Sequence, residues 1–166
     1  ERRADRLDLV IRSAGLLPGG HPVPATGLKL AAELGLELSQ HVSRQIAPSD
    51  LTTADVVIGM SREHVREVLA VDPTLWPRVF TLKQFARWLS EHPRPSGVPL
   101  RPWLDEVAAA RPRDEAIGAD PGDDIADPIA SPMRAWRAMA AQVDTALVTM
   151  FDGLRAGDAR EGLPDR

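Results

Sequence analysis

Three short apolar runs constrain the fold of this chain more than any other feature of its sequence. They lie at residues 7–13, 55–60 and 79–82, and helix-like stretches separate them. The run at residues 7–13 is rich in branched apolar residues, and the run at residues 55–60 is of the kind that is buried on both faces of a sheet. Because strands that alternate with helices imply βαβ units, the sequence predicts a three-layer α/β sandwich around a parallel sheet.

Helix boundaries follow from capping residues and from apolar residues at helical spacing. A helix is expected over residues 26–34, with Gly35 as its natural end. Ser61 is expected to cap the helix that follows the second strand. The last helix should begin at Ser131-Pro132, where an N-cap is followed by Pro at the first helical position, and end at Gly153.

Length and composition fit one domain, which we expect over residues 1–153, with a flexible tail over residues 154–166. The chain has 166 residues, of which 43% are hydrophobic and 27% charged. Its net charge of −4 argues against nucleic acid as the main partner. No apolar run approaches the roughly 18 residues of a membrane span, so no membrane association is expected. The lack of cysteine excludes a disulfide framework and fits a cytoplasmic protein.

Asp127 is the main candidate for a catalytic residue. It precedes Pro128, which biases it toward an extended conformation and suits a side chain that reaches over a site. An aspartate placed in this way could act as a general acid, although an Asp-Pro turn before a helix is the alternative. Asp123 and Asp124 could add a second carboxylate, but we expect them to be solvated loop charge.

The other polar and aromatic candidates are expected to be structural. The four histidines lack metal-ligand spacing, and the glycines do not form a dinucleotide fingerprint, so no metal or cofactor is predicted. Arg44 is expected to be structural or on the surface. The tryptophans occupy apolar positions of helical stretches and are expected in the core: Trp76, Trp88, Trp103 and Trp136.

Three sequence blocks occur in an informative order. They are Arg12-Ser13-Ala14-Gly15, the stretch 39–60 with Arg44-Gln45-Ile46 inside it, and Ala126-Asp127-Pro128 before the last helix. Together they resemble the low-molecular-weight protein tyrosine phosphatase family, and residues 80–89 with the connection after them resemble a bacterial subgroup with a longer insert. The resemblance implies hydrolysis of a phosphotyrosine protein or a small phosphate ester through a cysteinyl-phosphate, with Asp127 as the general acid.

The family's phosphate-binding loop, Cys-x5-Arg-Ser, has no counterpart in this chain. The resemblance implies that about one strand, loop and helix, roughly 30 residues, precede the sequence, and a first residue Glu1 rather than Met fits a start that lies upstream. The absent strand would lie between residues 7–13 and 55–60, so we expect those strands either to close up or to leave a gap. Without nucleophile or phosphate cradle, the chain as given is expected to be inactive.

Two other functions remain open at this point. One is a non-catalytic relative of the same fold that binds a partner or a phosphorylated ligand. The other is arsenate reduction, whose thioredoxin-coupled form needs cysteines downstream of the loop, where this chain has none. The family often has aromatic residues directly after Asp-Pro. Here those positions are Ile129 and Ala130, and the chain lacks tyrosine, which weakens the case for stacking on an aryl phosphate.

Overall fold

The computed structural model describes residues 9–95, 97–108 and 111–156. In chain order its main elements are α1 (Ala25–Glu33), α2 (Pro48–Thr53), β1 (Val57–Gly59), α3 (Arg62–Val71), β2 (Val79–Thr81), α4 (Leu82–Glu91), α5 (Leu100–Val107), α6 (Arg113–Ala116) and α7 (Met133–Ala156). Short 3-10 helices span Pro73–Arg78 and Pro121–Asp123. None of the helices in these ranges is long and apolar enough to cross a membrane.

The two strands form a parallel pair that carries helices on both faces. Ile58 lies opposite Phe80 in the register, and Val57 lies opposite Val79. Successive side chains of a strand point to opposite faces. The two valines pack against core residues of α2 and α3, whereas Ile58 and Phe80 pack against residues of α4, α5 and α7. The predicted three-layer α/β arrangement with a parallel sheet is therefore confirmed.

The strand predicted over residues 7–13 is wrong for residues 9–13, which form neither strand nor helix, while residues 7 and 8 lie outside the described part. Val10 and Ile11 are 85% and 77% exposed. The chain first pairs at Gly15, whose N–H donates to the Arg44 carbonyl and whose carbonyl accepts from the Ile46 N–H, both at 2.9 Å. A cavity of about 90 Å³ separates residues 14–16 from β1. We expected the two strands either to close up or to leave a gap, and the structure shows the gap. Residues 9–13 therefore have no neighbouring strand among the described residues with which to pair.

Helix α7 continues past the expected end at Gly153 and runs to Ala156. Gly153 is buried, and a Cβ atom built on it would lie 2.7 Å from the Cβ of Leu89. The glycine therefore permits close approach of α7 to α4 and does not end the helix. Leu154 is buried in the same cluster as Phe80, so the core includes residues beyond 153. Of the flexible tail expected over residues 154–166, residues 154–156 belong to α7, and residues 157–166 lie outside the described part.

Two helix starts illustrate how local sequence fixes these boundaries. The Ser61 hydroxyl accepts a hydrogen bond from the His64 N–H at 3.4 Å, as expected for the cap of α3. Thr81 caps α4 in the same way: its hydroxyl accepts from the Gln84 N–H, and its own N–H donates to the side-chain oxygen of Gln84. Since Ser61 lies just beyond β1 and Thr81 is the last residue of β2, both helices begin at the carboxyl end of the sheet.

The predicted core tryptophans divide into three buried residues and one that is half-buried. The buried ones are Trp88, Trp103 and Trp136, and Trp76 is half-buried within the 3-10 helix before β2. Trp88 and Trp103 pack with ring centroids 5.2 Å apart in the core under Phe80. Their burial agrees with their apolar positions in the helical pattern, and nothing in it points to a ligand platform.

Candidate active site

Asp127 lies just beyond the carboxyl end of the parallel sheet. The chain returns to the sheet at Ile125, whose N–H donates to the carbonyl of Met60 at 2.8 Å. Met60 directly follows β1, and Asp127 follows Ile125 by two residues. Open α/β sheets bind their ligands at this edge. The position of Asp127 therefore fits a residue that acts on a bound ligand.

The turn around Asp127 holds its carboxylate at an exposed position. One carboxylate oxygen, Oδ1, accepts a hydrogen bond from the Ile129 N–H at 2.9 Å. Pro128 is buried beneath the turn, and its carbonyl accepts from the Ser131 N–H at 2.9 Å. Ala130 takes a left-handed conformation with φ of 61° just before α7. The turn thus fixes the backbone while the Asp127 side chain faces solvent.

Asp123 and Asp124 are not solvated loop charges, because each pairs with an arginine from a helix that packs on the sheet. Asp123 is only 2% exposed, and its two oxygens accept from Arg87 of α4 at 2.7 and 3.1 Å. Asp124 accepts from the Arg62 guanidinium of α3 at 3.0 to 3.2 Å and from the Arg62 N–H at 2.7 Å. The expectation of solvated loop charge is wrong, since fork-shaped guanidinium groups satisfy both carboxylates.

Two further basic side chains hold the backbone of the same stretch. The ammonium group of Lys83 donates to the carbonyls of Gly122 and Asp124 at 3.1 and 2.8 Å. Arg66 donates to the carbonyls of residues 117 and 118 at 3.1 and 3.0 Å. Cations from α3 and α4 therefore anchor residues 117–124, the segment that leads to Asp127.

The sequence carried a signal for this anchoring that the prediction missed. Arg62 and Arg66 are four residues apart on α3, and Lys83 and Arg87 are four residues apart on α4. Residues with this spacing share one face of a helix. Each helix thus presents two cations on one face, and a segment with three aspartates between residues 120 and 124 is their natural counterpart.

These pairs neutralise the acidic segment electrostatically. Hydrogen bonds from Arg62 lower the pKa of Asp124, and the same bonds raise the pKa of Arg62. Hydrogen bonds with Asp123 raise the pKa of Arg87. Asp123 and Asp124 thus each face an arginine, whereas Asp127, like Asp120, is exposed and accepts from a backbone N–H instead.

Arg44 has a structural role, in agreement with the prediction. Its guanidinium binds both carboxylate oxygens of Asp50 at 2.6 and 3.1 Å, and Asp50 also accepts from the Ala47 N–H at 2.8 Å at the start of α2. The hydrogen bonds from Arg44 lower the pKa of Asp50. The pair fixes the turn into α2 and leaves the carboxylate committed to that turn.

The described residues hold no group of three or more His, Cys, Asp or Glu side chains that could bind a metal ion. His64, which lines the cavity beside β1, accepts a hydrogen bond from the Met60 N–H at its Nδ1 atom, 3.2 Å away. The sequence contains no cysteine. This edge of the sheet therefore carries an exposed carboxylate, but the chain offers no thiolate to attack phosphorus.

A family model for low molecular weight phosphotyrosine protein phosphatases matches residues 2–94. This chain belongs to that family. The protein-tyrosine-phosphatase Etp is a similar relative, in both Escherichia coli K12 and O157:H7. It is 28% identical to this chain over 71 residues, which cover 43% of this chain and 46% of Etp. The chain thus aligns with less than half the length of the curated relatives it matches.

Two solved structures share the fold of this chain. The low molecular weight protein tyrosine phosphatase from T. tengcongensis aligns with a TM-score of 0.61 and 21% identity, over 86% of this chain and 76% of that one. The YwlE arginine phosphatase from Geobacillus stearothermophilus aligns with a TM-score of 0.63 and 22% identity, over 93% and 79%. At these identities the likeness establishes the fold alone.

Proposed function

We propose that this chain is the general-acid part of a phosphatase that hydrolyses phosphoric monoesters, with Asp127 as the acid. Its position carries the proposal: an exposed carboxylate at the carboxyl end of the parallel sheet, two residues after the bond between Ile125 and Met60. Family membership supports the reaction class. Since the family match ends at residue 94, the role of Asp127 rests on the geometry and on the resemblance of Ala126-Asp127-Pro128.

In this proposal a cysteine thiolate, supplied from outside these 166 residues, attacks phosphorus and forms the cysteinyl-phosphate. Asp127 donates its proton to the leaving oxygen as the bond from phosphorus to oxygen breaks. The resulting carboxylate then removes a proton from the water that hydrolyses the intermediate. The anchored segment 117–124 supports both steps, because it fixes the start of the loop that carries Asp127.

The chain by itself should not hydrolyse p-nitrophenyl phosphate. It has neither a nucleophile nor a phosphate cradle, and loss of both removes covalent catalysis and most electrostatic stabilisation of the transition state. Purified protein should therefore match a buffer blank. Turnover above the blank that persists after a second purification would contradict this expectation.

The role of Asp127 is tested in a protein extended upstream of Glu1, if the genomic sequence there encodes Cys-x5-Arg-Ser. Asp127→Asn should then lower turnover by roughly 10²–10⁴-fold, the usual contribution of a positioned acid. The loss should be greatest for esters with poor leaving groups, which need protonation most. Asp55→Asn is a matched control, since Asp55 is also exposed but precedes β1 and so lies at the opposite edge of the sheet.

Three results would count against the assignment. If Asp127→Asn cleaves poor leaving groups at the parent rate, Asp127 is a turn residue. If Asp55→Asn loses as much activity, the effect is not specific to the site. If the upstream sequence lacks the Cys-x5-Arg-Ser pattern, the chain is better explained as a binding relative of the family.

One observation favours phosphoarginine as an alternative substrate to phosphotyrosine. The residue after Asp127-Pro128 is Ile129, which is 63% exposed, and the chain has no tyrosine that could stack on a phosphorylated phenol. One structural neighbour is an arginine phosphatase. The two substrates are distinguished by measuring kcat/KM of the extended protein for a phosphotyrosine peptide and for a phosphoarginine peptide. A higher kcat/KM for the phosphotyrosine peptide favours phosphotyrosine as the substrate, and a higher value for the phosphoarginine peptide favours phosphoarginine.

A further inference from the structure

Arg62 joins the end of β1 to the segment that carries Asp127. It is the first residue of α3 and the third residue after β1. Its Nε and Nη2 atoms donate three hydrogen bonds, of 3.0 to 3.2 Å, to the two carboxylate oxygens of Asp124, and its backbone N–H donates a fourth, of 2.7 Å. The backbone bond uses one of the donors that a helix leaves free in its first turn. One carboxylate is therefore held by both the main chain and the side chain of the same arginine, a contact here called the Arg62 clamp.

The Arg62 clamp lies close to Asp127 along the chain. Asp124 precedes Asp127 by three residues, and the residue after Asp124, Ile125, donates through its N–H to the Met60 carbonyl at 2.8 Å. The residues that follow β1 thus hold both of these positions, and a single residue separates them from Asp127. Three residues span at most about 11 Å. A displacement of Asp124 is therefore transmitted to Asp127 over a short distance.

The contact that the structure gives the Asp127 carboxylate lies inside its own loop, where Oδ1 accepts from the Ile129 N–H at 2.9 Å. The position of the carboxylate therefore follows the backbone of that loop. Proton transfer requires an acid within about 2.6–3.2 Å of the atom that receives the proton. A misplacement of about 1 Å can lower a rate about 10²-fold. A residue that fixes the backbone of the loop therefore affects turnover without any contact with the substrate.

We propose that Arg62 is a positioning residue for Asp127, which it holds at the carboxyl end of the sheet through Asp124. The inference rests on the proposed function, in which Asp127 is the general acid, and adds to it a residue that acts through that acid alone. The side chains of Arg62 and Asp124 are 20% and 36% exposed, so loss of the arginine leaves a carboxylate that water can solvate. Arg87 is different, because its partner Asp123 is buried and would be left as an unpaired buried charge.

The activity test uses the protein extended upstream of Glu1 and esters with poor leaving groups. Arg62→Ala should lower kcat about tenfold and change KM by less than about twofold, because the acid acts in the chemical step rather than in substrate binding. This loss is smaller than that expected for Asp127→Asn, since the bond between Ile125 and Met60 remains. In an Asp127→Asn background, Arg62→Ala should cause no further loss, because the effects of residues that act as a unit do not add.

Arg137→Ala is the matched control. Arg137 also donates three hydrogen bonds through Nε and Nη2 to a carboxylate, that of Glu33, at 2.9 to 3.1 Å. The Glu33 side chain is 36% exposed, as is that of Asp124. This pair joins α7 to α1 instead of holding the Asp127 loop, so the variant should keep the parent kcat. Asp124→Asn breaks the Arg62 clamp from its other side and should reproduce the loss of Arg62→Ala.

Hydrogen exchange of the 166-residue chain tests the Arg62 clamp without any measurement of activity. The amides of Ile125 and Ile129 should exchange at least about threefold faster in Arg62→Ala than in the parent, because the start of the loop is no longer held by the guanidinium. Arg137→Ala should leave both exchange rates unchanged.

Three results would overturn the inference. Arg62→Ala could keep the parent kcat or the parent exchange rates, Arg137→Ala could lose as much activity, or Arg62→Ala could lower turnover equally with and without the Asp127 carboxylate. Failure of the proposed function gives a different result, in which Asp127→Asn keeps the parent rate and both proposals fall. A loss in Asp127→Asn without a loss in Arg62→Ala overturns the positioning role alone.

Discussion

Gly153→Ala should destabilise the protein although it replaces glycine with the best helix former. In an exposed helix the change would stabilise by about 0.5–1 kcal/mol. Here the new Cβ atom would lie 2.7 Å from the Cβ of Leu89 and 3.2 Å from its carbonyl oxygen. Carbon atoms in good contact are about 3.5–4.0 Å apart, so α7 and α4 would have to separate by about 0.8 Å.

Overpacking of this kind costs about 1–3 kcal/mol. After subtraction of the gain in helix propensity, we expect a net loss of about 1 kcal/mol in the free energy of unfolding. For a domain of this size the melting temperature should fall by about 2–4 °C. Urea unfolding followed by tryptophan fluorescence measures the loss directly, since three of the four tryptophans are buried.

Two control variants separate packing from helix propensity. Ala138→Gly, at an exposed position of the same helix, should lose about 1 kcal/mol from propensity alone. In a Leu89→Ala background the penalty of Gly153→Ala should persist, because alanine keeps both the Cβ and the carbonyl that the new methyl group would meet. If Gly153→Ala were instead stabilising by the amount that Ala138→Gly loses, close approach of α7 to α4 would not depend on this glycine.

Two further predictions concern charged groups. Arg111 is 5% exposed, its guanidinium carbon lies 3.8 Å from the centre of the Phe80 ring, and burial lowers its pKa to about 10. Arg111→Ala should lower the free energy of unfolding by about 2–4 kcal/mol through the cavity it leaves, and Arg111→Met should recover most of that loss by filling the space. If the hydrogen bonds from Arg111 to main-chain carbonyls contribute more than packing does, both variants will unfold at the same urea concentration. The pKa of Asp124 is lowered by hydrogen bonds from Arg62, so the folded state binds fewer protons there than the unfolded chain. The stability that ionised Asp124 contributes is fully present above the pKa of an aspartate in the unfolded chain, about 3.9, and is lost as the pH falls through the lower pKa of Asp124 in the folded state. The difference in stability between the parent and Asp124→Asn should therefore shrink as the pH is lowered from 6, whereas a constant difference would show that the charge of Asp124 does not matter.

The elements that sequence predicts correctly are those specified by local pattern and satisfied by nearby residues. Strands β1 and β2 lie within the predicted runs, and the Ser61 cap is where a hydroxyl before a helical stretch should be. The run at residues 7–13 has the same local pattern, but a strand also needs a neighbour, and no window of sequence reports whether one is present. The prediction failed there for lack of a partner, since Val10 and Ile11 have the composition of a strand.

The expectations for Gly153 and Asp123 are wrong for a related reason. A glycine late in a helix can end it or permit close approach, and the choice depends on Leu89, which is 64 residues away in sequence. An acidic loop residue can be solvated or buried against a cation, and Arg87 decides between these outcomes from α4. In both cases the deciding residue lies on another element, where composition and periodicity around the position itself carry no information.

At the carboxyl edge of the sheet, the loop that carries Asp127 and the segment around Gly15 differ in their dependence on the gap beside β1. The Asp127 loop is held by contacts within the described residues, because the Ile125 N–H donates to the Met60 carbonyl and cations of α3 and α4 anchor residues 117–124. The segment around Gly15 faces the cavity. The loop that carries the proposed acid is thus organised whether or not a further strand fills the gap. Arg62→Ala should therefore speed hydrogen exchange at the Ile129 amide of the Asp127 loop, whereas Val10→Lys/Ile11→Lys should leave that exchange unchanged.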